Sequence, residues 1–434
     1  MDNPQVFNNY DIRGIYPDEI NEELTMRLGR AIGTYANGLV VVGGDTREMT
    51  PALKKALILG LRSSGSDVID VGIGPTDLIT IAGAHYNAIL SVMITASHHG
   101  WDRNGFKLMY AKGNGFSNED MAVIKKIYAD EPFVDAETGS YENKEDEFRQ
   151  IYTKRAIDCF KKHFDSIDAK VIVDCANGGA AVVLPDILLT LGAEVVKVNC
   201  DFVPDKNVAP EPEEESRTYL VDALKANNAD IAVGCDPDAD RVFAFDSNGR
   251  WVNGDEIFAM LAKVIGAKKI SASLDTSSML FDATGADITL TRVGDIFVSK
   301  KAIDIDADFM GEPNGHYAFP DFSWYNSGTF AALILAANAK KLSSMIDSLP
   351  KYFTANKKFK YDNDEMKILA TKKAIVDAGA LYFVISDLDG VKFKCDDAVV
   401  LIRPSGTSPV IRIKAEAKTQ QSADLALEKA SLLL

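Results

Sequence analysis

Three aspartates at every second position, Asp236, Asp238 and Asp240, lie in the run GCDPDADR. They follow the apolar stretch DIAVGC, which reads as a buried strand, so they fall where a strand hands over to a loop. Carboxylates that close repel one another unless a cation stands among them, and an all-oxygen set suits magnesium or calcium. A solvated acidic turn is the plain alternative; the Arg241 that follows and the strand-end position favour the metal. The second candidate is Ser97 in ITASHHGWDRNGFK (94–107), which follows another apolar run and precedes His98 and His99. Its hydroxyl is expected to stand exposed on a tight loop, though an ordinary loop serine has the same surroundings. A protease-like nucleophile fits poorly, because the loop lacks GxSxG and no carboxylate is identified to orient either histidine. A serine beside a divalent cation suits phosphoryl transfer, where positioning and charge neutralisation carry most of the catalysis.

Four further segments hold polar groups of the right kind. RPSGTSPVIR (403–412) offers Arg403, Ser405, Gly406 and Thr407, a guanidinium fork with hydroxyls and approachable amides. That is the inventory of a phosphate cradle, or of a β-turn with a chance arginine; the spacing is not that of a P-loop. GEPNGHYAF (311–319) clusters Glu312, Asn314 and His316, groups that hydrogen-bond sugar hydroxyls. YDIRG (10–14) and GGDTRE (43–48) place Arg13 and Arg47 near predicted loops, where each equally suits a surface ion pair.

The elements that must position these residues repeat one theme. LVVVGGDTR (39–47), SDVIDVGIGPT (66–76), AILSVMITASHHG (88–100), AKVIVDCANGG (169–179) and AEVVKVN (193–199) each run from a β-branched stretch into a turn before a helical pattern. Apolar strands alternating with helices predict parallel sheets covered on both faces, with reactive loops at the carboxyl ends of strands. DAETGSYENKEDEFRQ (135–150) reads as a linker or the entry to a connecting helix, and the charged stretch 351–365 as a break and linker. The tail differs. Asp389-Gly390 marks a hairpin, and VIRIKAEA alternates Ile411, Ile413, Ala415 and Ala417 against Arg412, Lys414 and Glu416, as in a half-buried antiparallel strand. The predicted organisation is three doubly wound α/β domains of similar topology (1–148, 149–249, 250–352) and a C-terminal α+β domain (353–434).

Composition narrows the class. A chain of 434 residues with 47% hydrophobic and 25% charged residues is expected to form several globular domains. No apolar run approaches membrane-spanning length, and the start MDNPQVFNNYDIRG has no signal core, so a cytoplasmic protein is expected. A net charge of −16 argues against a nucleic-acid partner. Cys159, Cys175, Cys200, Cys235 and Cys395 form no CxxC pair and read as small core residues.

Taken in order, these segments resemble the α-D-phosphohexomutase superfamily over essentially the whole chain. ITASHHG resembles its phosphoserine loop, DPDADR its magnesium loop, GEPNGH its sugar loop and RPSGTSP its phosphate loop. The resemblance implies four domains around a central cleft, and a phosphorylated Ser97 that gives its phosphoryl group to a sugar phosphate. A hexose 1,6-bisphosphate then turns over and returns its other phosphate to Ser97. It further implies Mg2+ held by Ser97, Asp236, Asp238 and Asp240, and substrate contacts from Tyr10, Arg241, Glu312, Asn314, Arg403, Ser405, Gly406 and Thr407. Arg13, Lys107, His98 and His316 become the catalytic candidates. Lys107 or His316 is favoured for the proton and Arg13 for charge stabilisation, since arginine is a poor base.

YDIRG and GHYAF lean towards the phosphomannomutase/phosphoglucomutase branch, which acts on mannose and glucose phosphates. Other positions depart from it. His99-Gly100 replaces the usual Asn-Pro, Asn314 the usual serine and Ser408 the usual glutamate, while Asp295 and Gly406 look like the phosphoglucosamine mutase branch. A magnesium phosphatase and a non-catalytic sugar-phosphate-binding homologue are the remaining alternatives. The expected partners are small sugar phosphates, with no nucleic acid or membrane, for a monomer or homodimer.

Overall fold

The computed structural model describes residues 4–130, 137–203, 205, 207–405 and 408–434. The chain divides into two compact units, one of residues 1–254, 308–310 and 314–345, the other of residues 255–307, 311–313 and 346–434.

The first unit holds two sheets built on one plan. In the first, Val40–Gly44 is flanked by Val68–Ile73 and Leu90–Ile94, all parallel. Arg103–Tyr110 then runs antiparallel beside Leu90–Ile94, and Ile12–Ile15 antiparallel beside that. In the second, Lys170–Asp174 is flanked in parallel by Glu194–Val198 and Ile231–Cys235, and Val242–Asp246 runs antiparallel beside the last. The spatial order of the four shared strands is the same in both. Parallel strands with antiparallel pairing on one side replace the wholly parallel sheets expected. Arg103–Tyr110 and Val242–Asp246 each follow a parallel strand through a short loop, and short connections return the chain antiparallel. The central strands Val40–Gly44, Leu90–Ile94 and Ile231–Cys235 are buried at every residue, as their β-branched runs require.

The region 135–150 is only partly a linker. Tyr141–Asn143 joins the first sheet beside Val68–Ile73, and Glu145–Phe160 is a helix with three acidic residues in its first turn. The helix Gly328–Ala337 is buried along nearly its whole length, which accounts for its unbroken apolar run FAALILAA.

The second unit contains the parallel pair Lys269–Ser273 and Asp287–Thr291 and a five-stranded antiparallel sheet. The hairpin around Asp389-Gly390 joins Phe383–Ser386 to Val391–Cys395, with Gly390 at φ +89°. The stretch 351–365 is not a linker. Phe353–Lys360 is a strand paired with Val410–Ala417 over its full length, its charges facing outward from a sheet edge. Ile411, Ile413, Ala415 and Ala417 are buried as predicted. The opposite face is not simply solvated, since Glu416 is buried too and accepts from the Ser278 backbone N–H at 2.8 Å. Lys414 donates to the Asp275 carbonyl at 3.0 Å, and buried Lys392 to the carbonyls of Leu274 and Thr276.

In the first unit, helices Glu22–Ala36 and Thr50–Ser63 cross where Gly29 and Gly60 meet. A methyl group on Gly60 would lie 2.1 Å from the Met26 carbonyl oxygen and 2.9 Å from the Arg30 nitrogen. Gly60→Ala is therefore expected to destabilise this unit by roughly 1–3 kcal/mol, the usual cost of overpacking. Urea denaturation with an unchanged midpoint would show that the helices separate freely.

Candidate active site

Loops from both sheets of the first unit meet at the carboxyl ends of their parallel strands, as open α/β sheets lead one to expect. The loop after Leu90–Ile94 carries Ser97, and the loop after Ile231–Cys235 carries the three aspartates. Asp236, Asp238 and Asp240 are all buried, with one oxygen of each lying within 4.8 Å of the others. Among the described residues this is the only such group of potential metal ligands.

Ser97 is buried rather than exposed. Its backbone sits in the left-handed region at φ +53°, and its N–H donates to Thr95 Oγ1 at 2.7 Å. The hydroxyl donates to Asp236 Oδ2 at 3.3 Å and lies 3.1 Å from His98 Nδ1. The other ring nitrogen of His98 is 3.4 Å from Glu211 Oε2. Burial, with Arg241 and Arg13 adding to it, pushes His98 down to about 2, so the imidazole is neutral.

Arg47 holds the Ser97 loop. Its guanidinium donates to the carbonyls of Ser97 (2.6 Å), His99 (2.7 Å), Gly100 (2.6 Å) and Arg103 (3.0 Å). The Nε donates to Asp45 Oδ2 at 3.0 Å, and Trp101 covers the guanidinium 5.0 Å from its ring centre. The arginine that sequence alone leaves as a surface ion-pair residue is thus wholly buried and gathers the serine loop around itself.

Cations also enter the carboxylate cluster. Lys107 Nζ donates to Asp238 Oδ2 at 2.6 Å and to Asp240 Oδ2 at 2.5 Å. Arg241 donates from its backbone to Asp236 Oδ1 at 3.2 Å and from its guanidinium to Glu211 at 2.9 Å. His316 Nε2 lies 3.2 Å from Asp240 Oδ1. Burial lowers the lysine, yet Asp238 and Asp240 hold it well above its ordinary value as a firm ammonium. Burial pushes Asp236 well up, reinforced by the charges of Asp238 and Asp240. Asp240 goes the other way, because Lys107, His316 and Arg241 overcome its burial.

Arg13 donates to the carbonyl of Ala96, next to Ser97, at 3.1 Å and pairs with Asp11 at 2.7 Å. Tyr10 lies half-buried just before that pair. Asn314 is exposed and accepts from the backbone N–H of His316 at 3.3 Å.

The second unit holds the rest. Buried Glu312 accepts from the Gly294 N–H at 2.8 Å, fixing the turn that opens the helix beginning at Asp295. Arg403 pairs with Asp389 at 3.0 Å. The Ser405 hydroxyl accepts from Ser408 at 3.0 Å, while Lys367 donates to the carbonyls of Ser405 and Ser408 at 2.8 and 3.0 Å. Gly406 and Thr407 lie outside the described residues. Glu211 and Lys367 are residues that sequence reasoning passes over, and Arg47 is one that it names but leaves equally suited to a surface ion pair. For Arg47 a usable signal exists, since GGDTR sits at a strand end with its aspartate two residues away.

Residues 4–135, 148–249, 253–353 and 355–430 match, in turn, α/β/α domains I, II and III and the C-terminal domain of phosphoglucomutase/phosphomannomutase. The chain belongs to the phosphoglucomutase/phosphomannomutase family. It is 36% identical to a phosphoglucomutase/phosphomannomutase of Thermococcus kodakarensis, over 99% of this chain and 98% of that one. It is 32% identical to a probable phosphoglucosamine mutase of Pyrococcus abyssi, over 99% and 97%. A solved family protein from Burkholderia thailandensis shares the fold at a TM-score of 0.85 and 24% identity, covering 99% of this chain and 98% of that one. The chain is accordingly a hexose-phosphate mutase, with three α/β domains and a distinct C-terminal one.

Replacing Arg47 by methionine would leave Asp45 buried without its counter-charge and free the carbonyls of the serine loop. A loss of about 3–5 kcal/mol of stability is expected, as for other broken buried pairs. Limited proteolysis should then cut within 97–103; a loop as resistant as the wild type's would show that Arg47 does not hold it.

Proposed function

We propose that the protein interconverts the 1- and 6-phosphates of mannose and glucose through a phosphoserine at Ser97 and a hexose 1,6-bisphosphate intermediate. The observation that carries this reading is the approach of Ser97 Oγ to Asp236 at 3.3 Å within the buried carboxylate cluster. The cluster suits a hard divalent cation: its donors are all oxygens, and Asp238 Oδ1 is buried with no hydrogen-bond partner. Asp236, Asp238, Asp240 and a phosphate oxygen on Ser97 are the proposed ligands of Mg2+. Bound there, the ion would supply positive charge to the phosphoryl group in transit.

The remaining steps belong to side chains. In the first, the sugar hydroxyl oxygen bonds to phosphorus as the bond to Ser97 Oγ breaks, and a base takes the hydroxyl proton. Ser97 Oγ takes up a proton as it leaves. In the second, that hydroxyl oxygen bonds to the phosphorus of the other phosphate and gives its proton to a base, as the bond from that phosphorus to the sugar oxygen breaks and the sugar oxygen takes a proton to become a hydroxyl. His98 Nδ1 lies 3.1 Å from the serine, but burial makes its imidazole a weak base, so its proposed part is to orient the Ser97 hydroxyl rather than to take its proton. Lys107, held as an ammonium by two aspartates, suits charge compensation better than proton abstraction, which leaves His316 as the candidate for the sugar hydroxyl. Arg13 and Arg241 are proposed to stabilise phosphate charge. Tyr10, Glu312 and Asn314 are proposed substrate contacts, and Arg403, Ser405, Gly406 and Thr407 the grip on the phosphate not being transferred.

A second reading, phosphoglucosamine mutase, is favoured by Asp295. A half-buried carboxylate at a helix start complements an ammonium on the sugar better than a hydroxyl. The relative at 32% identity bears that name.

Two measurements test the assignment. Purified protein with Mg2+ and a trace of glucose 1,6-bisphosphate is expected to turn mannose 1-phosphate and glucose 1-phosphate into 6-phosphates faster than glucosamine 1-phosphate. The reverse order would establish the second reading. Ser97→Ala should lower kcat by on the order of a thousandfold or more with the melting temperature intact. Near-normal turnover in that variant sinks the phosphoserine.

A further inference from the structure

The loop that carries the three aspartates is held from outside itself. It is short and strained, with Ala239 in the left-handed region at φ +56°. Three consecutive carbonyls in it accept backbone hydrogen bonds from other segments. Pro237 O accepts from Gly179 at 2.7 Å, Asp238 O from Thr76 at 2.9 Å, and Ala239 O from Gly328 at 2.9 Å. Thr76 also brings its hydroxyl to 3.2 Å from Asp238 Oδ2. Gly328 fits so closely that a methyl group there would lie 2.2 Å from the Arg241 carbonyl oxygen.

Two of these donors, Thr76 and Gly328, are chain neighbours of one buried knot. Asp77 Oδ2 accepts from Ser327 Oγ at 2.5 Å, Tyr152 Oη at 2.9 Å and Thr329 Oγ1 at 3.2 Å. The hydroxyls of Tyr152 and Thr329 are in turn 2.6 Å apart. All four residues are buried. The knot ties the helix Thr76–His85 to the helix Glu145–Phe160 and to the start of the helix Gly328–Ala337. None of its members touches the aspartate cluster directly. Burial pushes the Asp77 carboxyl up to about 6 while the three hydroxyls pull it down, so at neutral pH a carboxylate is present to accept all three.

We infer that Asp77 is a positioning residue for the metal loop: by clamping Ser327, Thr329 and Tyr152 it fixes the backbone donors of Thr76 and Gly328, and through them the carboxylates of Asp238 and Asp240. The inference rests on the reading of the cluster as a divalent-cation site. The positions of Asp238 and Asp240, and hence affinity for the ion, depend on two helix starts that the knot ties together. Groups that orient metal ligands from behind usually change affinity 10–100-fold when altered.

The test is Mg2+ binding by titration calorimetry on the full-length protein, alongside the Mg2+ and sugar-phosphate dependence of turnover. Asp77→Asn keeps the shape and one acceptor but removes the charge; it is expected to weaken Mg2+ binding about tenfold or more. The half-saturating Mg2+ for activity should rise in parallel, while KM for the sugar phosphate at saturating Mg2+ moves less than about twofold. Should Asp77→Asn fail to fold, Tyr152→Phe and Thr329→Val each remove one donor and are expected to weaken Mg2+ binding measurably. Folded variants with wild-type Mg2+ affinity would overturn the inference while leaving the cation site standing. A wild-type protein that binds no Mg2+, and is unchanged by Asp238→Asn, would remove the cation site and this inference together.

Discussion

Three carboxylates share a buried space in which water cannot screen them. At the separation seen here, below 4.8 Å, each like-charged pair costs about 3 kcal/mol even at a generous effective dielectric constant. The three pairs together approach the whole net stability of an ordinary domain. The rest of the first unit is arranged to tolerate that cost. Lys107 reaches in from the antiparallel strand beside Leu90–Ile94, Arg241 follows the cluster in sequence, and His316 comes from a separate segment. Even so Asp238 keeps one oxygen bare, and Asp236 is driven towards its protonated form. Strain of this kind persists only where surrounding structure over-determines it, and it marks sites rather than scaffolds.

The serine loop answers the same problem in a different way. A hydroxyl beside carboxylates must approach closely while its backbone takes a left-handed turn. Arg47 makes this possible by accepting none of the loop's groups and donating to four of its carbonyls at once, a task only a guanidinium's fork can perform. Asp45 cancels its charge locally, so the arginine orients the loop without adding a further unpaired cation to the site.

Much of this is legible in the sequence because two kinds of signal are local. Burial on both faces writes itself as unbroken β-branched runs, and alternation in 410–417 correctly separates the apolar face. The aspartates and Ser97 stand out because their spacing and strand-end positions are local as well. What is not legible is partnership at a distance. Nothing near Glu211 indicates that it will face His98, more than a hundred residues earlier in the chain. Lys414 and Glu416 look like solvent-facing residues, yet they pack against 275–278, because alternation says which residues share a face and not what covers it. The charged strand 353–360 reads as a linker for a related reason: an edge strand is polar where it meets water, and polar segments are what linkers look like.

On the proposed reading, phosphoryl transfer runs in both directions at Ser97, and the groups around it bear on that demand. An unbalanced site, with one strong base, would favour one direction of proton flow. Here the nearest imidazole is neutral, burial raises the nearest carboxylate, and the ammonium of Lys107 is already divided between two other aspartates. Charges this close act on one another through distances, so the cluster requires fixed positions. The extensive backbone anchoring of both loops, by Arg47 on one side and by Gly179, Thr76 and Gly328 on the other, is the structural form that requirement takes.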